Sequence, residues 1–153
     1  MKIVINKCFG GFGLSPAGVK RMAELQGKEC YFFTHDHATD RYIPCDLEEA
    51  TKAAIFYAFD VPNAQSLFRA KPWAKMTAKE RERENALYRQ HEIPSRPDDR
   101  SDPALVKTVE ELGKESNGSF GQLRVVDIPD GVDWEIDEYD GMESVHERHR
   151  SWA

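Results

Sequence analysis

The sequence predicts an α+β (or α/β) fold: one domain over residues 1–153, on a mixed sheet that joins an N-terminal strand to a C-terminal hairpin. Two helices pack on that sheet, and a helical insertion occupies about 46–92. Three patterns carry the expectation. An apolar run, Ile3-Val4-Ile5, stops at a glycine-rich turn and passes into a helical pattern. Leu105, Val106, Val109 and Leu112 recur at the spacing of one helix face. Val132, Trp134 and Ile136 alternate with Asp133, Glu135 and Asp137, the period of a strand with one apolar and one acidic face. Short segments of this kind bury their apolar sides only against one another, which places them in a layered core.

Taken in order, Ser15 is a good N-cap and Pro16 suits the first helical position, so a helix over 16–26 follows the glycine turn. Gly27 stands where a left-handed C′ residue closes it. Cys30 to Phe33 reads as a strand, His35 to Asp40 as a polar turn and Arg41 to Pro44 as a return strand, together a hairpin. Asp46 with Glu49 forms a capping box that starts a helix over Leu47 to Phe59. A second capping box, Thr77 to Glu80, starts a helix through about Gln90 that is polar nearly all round. Ile93 to Arg100 holds two prolines and reads as extended linker; Asp102 and Pro103 then cap the helix that ends at Gly113 or Gly118. Gln122 to Ile128 forms a hairpin with the 132–137 strand across Pro129-Asp130-Gly131. After Asp140-Gly141, Met142 to Trp152 is a short helix or tail.

Composition narrows the function classes. A content of 40% hydrophobic and 31% charged residues fits a folded domain and not a disordered chain. No apolar run approaches the length of a membrane span, and the N-terminus lacks a signal-peptide pattern, so no membrane partner is expected. Cys8, Cys30 and Cys45 are odd in number without C-x-x-C spacing, which points to reduced thiols in a cytoplasm. The net charge of −6 is uneven: −1 over residues 1–68, +3 over 69–100 and −8 over 101–153. An acidic chain with one modest basic segment is not built for general nucleic-acid binding.

The stretch with the most chemistry is the turn Cys8-Phe9-Gly10-Gly11-Phe12-Gly13-Leu14. A strand that enters a helix through glycines offers main-chain N–H groups and a helix N-terminus, both suited to phosphate or carboxylate. Neither nucleotide fingerprint is complete. Gly13 and Gly18 have Walker spacing, but Val19 follows where Lys is required; Gly11 and Gly13 start a dinucleotide motif, but Pro16 replaces its third glycine. The site expected here is Lys7, Phe9, Gly10, Gly11, Phe12, Gly13 and Ser15: amides for an anion, a phenylalanine to stack on a ring, and Lys7 for charge. The same turn is also what a tight β–α connection needs.

Other groups have both a chemical reading and a plain surface role. His35 and His37 alternate on a strand and reach toward one ion, yet no third ligand has a diagnostic spacing. Arg69, Lys71, Trp73 and Lys75 are a possible clamp over an anion, or a solvated helix-loop-helix. The acidic face of 133–137, with Glu138 and Asp140, suits Mg²⁺ or acid–base chemistry, or simply water. His146 and His149 are one helical turn apart but lack the H-E-x-x-H arrangement. Arg148, Arg150 and Trp152 make a basic-aromatic end. No cofactor, metal or catalytic residue is assigned.

Both ends of the chain resemble a family of small proteins encoded by tailed phages and prophages. The resemblance rests on Lys2 to Ser15, on Asp102-Pro103, Val109 to Gly113 and Asn117-Gly118, and on Trp134 to Ile136, Glu138 to Gly141 and His149 to Trp152. It leaves 46–92 uncovered. It implies a phage origin and action in the host cytoplasm, and it carries over no catalytic residue. The function expected is a non-enzymatic anti-defence protein that captures an anionic nucleotide-type molecule at the glycine loop. The alternatives are an interaction protein that blocks a host enzyme through 132–140 or 69–91, and a nucleotide-acting enzyme that uses His35, His37 or Cys8. A homo-oligomer is compatible with any of them.

Overall fold

The computed structural model describes residues 1–148 and shows a mixed α+β chain. Among the described residues are five α-helices and seven strands in three small antiparallel sheets. The chain divides into two compact units, residues 1–22 with 95 onward, and residues 23–94.

In the first unit, β1 (Lys2–Asn6) pairs antiparallel with β5 (Leu123–Asp127), Val4 opposite Val125. Ile3, Val4 and Ile5 are all buried, because α5 (Pro103–Leu112) covers the pair with Leu105, Val106 and Val109. Asp102 caps α5 by accepting from the Ala104 amide at 2.8 Å, and Gly113 ends it at φ 54°. α1 (Pro16–Leu25) adds Val19 and Met22 to the core, and Ser15 caps it through Oγ, which accepts from the Gly18 amide at 3.1 Å.

The remaining strands, β6 (Trp134–Tyr139) and β7 (Met142–Glu147), pair with each other. Two expectations are corrected here. Gln122 to Ile128 does not form a hairpin with 132–137, and Met142–Glu147 is a strand, not the start of a helix or tail. Both Asp130-Gly131 and Asp140-Gly141 are turn signals, but at the second both residues have positive φ, 50° and 89°. That two-residue geometry matches strand twist and folds the chain straight back. The single sheet expected is therefore divided: β1 takes β5, and the hairpin is a sheet of its own. His149, Arg150 and Trp152 lie outside the described residues.

In the second unit, β2 (Tyr31–Asp36) is flanked by β3 (Arg41–Cys45) and β4 (Tyr57–Phe59). The helix expected over Leu47 to Phe59 stops early: α2 covers only Leu47–Lys52, and β4 takes the open edge of β2. Pairing and aromatic packing override the helical pattern, since Phe56, Tyr57 and Phe59 suit a half-buried strand better than a helix. The expected helical insertion at 46–92 thus also holds a strand. It contains α3 (Ala64–Leu67) and α4 (Ala78–His91), capped by the Thr77 hydroxyl, which accepts from the Glu80 amide. The core is aromatic. Phe59 lies edge-to-face with Phe33 at 5.5 Å and stacks on Phe68 at 5.0 Å. The polar helix α4 contributes Leu87 and Tyr88 to this cluster.

Candidate functional site

At the end of β1 three chain segments meet, and one fully buried side chain joins them. Asn6 donates from Nδ2 to the Cys8 carbonyl at 2.8 Å and to the Gly141 carbonyl at 2.7 Å. Its Oδ1 accepts from the Gln122 amide at 2.8 Å, while the Cys8 thiol, 3.4 Å from Oδ1, has a nearer acceptor in the Phe120 carbonyl at 2.9 Å. Both donor hydrogens of the side-chain amide are thereby used. The free edge of β1 is closed with equal care. The Val4 amide donates to the Arg100 carbonyl, and the Asn6 amide donates to Glu143 Oε1 at 2.8 Å. Glu143 is buried and held bidentately by Arg100 at 2.8 and 3.0 Å.

The glycines let these segments touch through their main chains. A Cβ on Gly10 would collide with the carbonyl and Cβ of Phe120; one on Gly141 would lie 2.5 Å from the Phe9 carbonyl oxygen and 2.7 Å from the Gly11 nitrogen. Gly118 donates to the Gly13 carbonyl at 2.8 Å. Only residues without side chains pack this closely.

The sequence-predicted residues separate into two groups. Phe12 is buried, and the Arg100 guanidinium covers its ring at 3.6 Å, so it is not available to stack on a ligand. Ser15 is also spent: its amide donates to the Ser116 carbonyl, and its hydroxyl donates to the Glu115 carbonyl while capping α1. Lys7 and Phe9 are exposed, Phe9 at 60%. Among the described residues, the amides of Phe9, Gly10, Gly11, Phe12 and Gly13 donate to no protein acceptor, whereas those of Leu14 and Ser15 do.

Two residues that sequence reasoning missed belong with Phe9. Phe120 is 77% exposed and Tyr139 79% exposed. Phe120 sits on the segment packed against Gly10, and Tyr139 starts the turn packed against Phe9 and Gly11. Exposed aromatics between Gly-Ser-rich and Asp-Gly turns were the available signal. Beside them a cleft of about 360 Å³ is lined by Lys7, Asp137, Tyr139, Met142, Glu143 and Ser144. Its far wall is the acidic face of the hairpin, where Asp137 Oδ2 lies 2.9 Å from His146 Nε2.

The unit of residues 23–94 holds a second constellation. His35 Nε2 bonds Asp40 Oδ1 at 2.8 Å, and the His37 ring lies edge-on to His35 at 4.9 Å. Both histidines line a cleft of about 250 Å³ with Thr34, Ile55 and Tyr57. Behind it, Arg69 pairs with the buried Glu84 and lies 3.3 Å from Asp40. Asp40 and Arg69 both adopt φ 54°, a strained conformation for residues with side chains. Burial works to raise the Asp40 carboxyl, but hydrogen bonds from the Trp73 amide and His35, with the Arg69 charge, outweigh it and hold it below the ordinary value. Burial pushes the Tyr42 hydroxyl up to about 12. The clamp at 69–75 is mostly neutralised from within: Arg69 is paired as above, Lys71 pairs with Glu80 at 3.2 Å and Trp73 lies beneath Arg69, while Lys75 is exposed. Cys8, Cys30 and Cys45 form no disulfide among the described residues.

Comparison with family models, with curated proteins and with solved structures finds no match to this chain. Among the described residues, no helix is long and apolar enough to cross a membrane.

Proposed function

We propose that the chain is a binding protein that captures a small anionic molecule carrying a flat ring, of nucleotide type, where the glycine loop meets the 118–121 and 139–141 segments. The observation that carries this reading is the run of five successive amides, Phe9 to Gly13, that have no acceptor among the described residues, beside three exposed aromatics and Lys7. Main-chain N–H groups and an ammonium suit phosphate oxygens. Phe9, Phe120 and Tyr139 suit a base, for which stacking contributes about 1–3 kcal/mol per ring. Read with the resemblance to phage proteins, the ligand is a host defence signal of that chemistry, met in the host cytoplasm and sequestered intact. Calorimetry with a panel of mono-, di- and cyclic nucleotides tests it. Binding that is lost in Phe120→Ala and weakened in Lys7→Ala, with the nucleotide recovered unchanged, supports capture. Absence of binding across the panel, or binding indifferent to Phe9 and Phe120, removes it.

A second reading is favoured by the oriented dyad of Asp40 and His35 beside the unpaired His37 ring. A positioned imidazole next to another in a cleft is the arrangement of acid–base chemistry on a phosphodiester. Turnover of a nucleotide that stops in His37→Ala would establish this reading instead of simple capture.

A further inference from the structure

We infer that Glu135, Asp137 and His146 form a binding site for a divalent transition-metal ion of the zinc class. Glu135 lies directly opposite His146 in the β6–β7 register, and Asp137 is two residues further along the same face. Both strands therefore aim ligands at one point through a two-residue turn. One ligand atom from each residue lies within 4.8 Å of the other two. His146 Nε2 is 2.9 Å from Asp137 Oδ2 and 3.9 Å from Glu135 Oε1. A tetrahedral ion with bonds of about 2.0–2.1 Å needs neighbouring ligand atoms about 3.3 Å apart, a value these distances bracket.

The direction of the contact separates this from an ordinary ion pair. The His146 side chain is part-exposed, but its Nε2 atom is shielded from solvent and makes no hydrogen bond, although a carboxylate oxygen lies 2.9 Å away. The oxygen lies off the ring N–H direction, so the nitrogen is flanked by carboxylates and bonded to neither. That is the geometry of three ligands converging on a common centre rather than of a donor on its acceptor. Arg148 approaches the cluster, but its Nε lies 3.4 Å from Oε2 of Glu135, leaving Oε1 turned to His146. An imidazole in the set selects zinc and its neighbours over calcium or magnesium, which take oxygen ligands.

Three protein ligands leave a position for water or for a ligand oxygen. Asp137 is shared with the cleft that holds Lys7 and Tyr139. Besides Lys7, that cleft is walled by carboxylates, which oppose an anion unless a further cation intervenes. An ion held by Asp137 supplies that cation, so phosphate oxygens are bridged between metal and Lys7; this last step rests on the capture reading above, whereas the metal site does not.

The test titrates the full chain with Zn²⁺ alone by calorimetry, with Mg²⁺ and Ca²⁺ in parallel. One Zn²⁺ per chain is expected, with affinity at least tenfold lower in both His146→Ala and Asp137→Asn, unchanged in a His35→Ala/His37→Ala variant, and little heat from Mg²⁺ or Ca²⁺. Circular dichroism of the variants confirms that each is folded. Stoichiometric Zn²⁺ binding that ignores both hairpin variants, or equal binding of Mg²⁺, overturns the site. Nucleotide titrations with and without Zn²⁺ then test the bridge. Metal binding without any effect on nucleotides leaves the site standing and removes the bridge; nucleotide binding in chelator equal to that with Zn²⁺ does the same.

Discussion

In residues 23–94 the groups that must be satisfied away from water are side chains. Glu84 sits buried on an otherwise polar helix and is met by the guanidinium and amide of Arg69, while Asp40 is met by His35, Arg69 and the Trp73 amide. Residues 1–22 and 95–148 also hold one buried charged pair, Glu143 with Arg100, but there most of the burden falls on the main chain. Glycines at 10, 118 and 141 bring three segments into backbone contact, and Asn6 satisfies the peptide groups between them. The first arrangement turns its chemistry inward and leaves two histidines at a cleft. The second turns peptide groups inward and frees large side chains to point out. A charged network fixes residues by their ends; a backbone junction fixes the frame and leaves the ends unassigned.

The largest test of this contrast is Glu84→Ala. It strands Arg69 beside a depleted network and should cost about 3–5 kcal/mol in urea unfolding, as loss of one partner of a buried pair does. Asn6→Ala should come next, at about 3 kcal/mol, because buried amides and carbonyls of two segments lose their partners together. Asn6→Asp, which keeps the acceptor and loses the donors, should fall between Asn6→Ala and the parent. Gly10→Ala should cost about 2 kcal/mol by overpacking against a carbonyl that cannot yield. Should it prove neutral in thermal unfolding, the backbone junction is looser than described.

Titration sharpens the other side. The folded Asp40 carboxyl has a lowered pKa, so its contribution is complete above the unfolded carboxylate value and is lost as pH falls through the lower folded one. Asp40→Asn should flatten that acid limb of the stability profile. Tyr42 has the opposite sign: raised to about 12, it favours the fold below the unfolded value, and that contribution disappears as pH rises to the folded one. The smallest effect is expected from Phe120→Ser, within about 0.5 kcal/mol of the parent by the same unfolding assay, as for any exposed position without a structural partner. A loss as large as that of Asn6→Ala would make Phe120 structural and end the view of this region as a display surface.

What could be read in advance follows from where each signal resides. β1, α1 and α5 were legible because their caps and periodicities are local: Ser15-Pro16, Asp102-Pro103 and Gly113 act where they stand. β4 was not, since the choice between continuing α2 and pairing with β2 depends on an edge more than 20 residues away. The hairpin was misplaced because two Asp-Gly dipeptides competed, and β1 decided between them by claiming β5. Within the candidate site, Phe9 and Phe12 flank the same glycine pair and read alike. One is exposed and one is covered by Arg100, whose position is a tertiary fact. Asn6 gave no local signal of its role, because Gln122 and Gly141, which it joins to the nearby Cys8, are supplied by distant segments.

A consequence of the glycine junction concerns change over time. Where three loops are pinned to each other through their peptide groups, lengthening or shortening any of them is forbidden, while the residues projecting from them are free to be exchanged one by one. Such a surface can follow a changing target by rewriting its fingertips and never its knuckles.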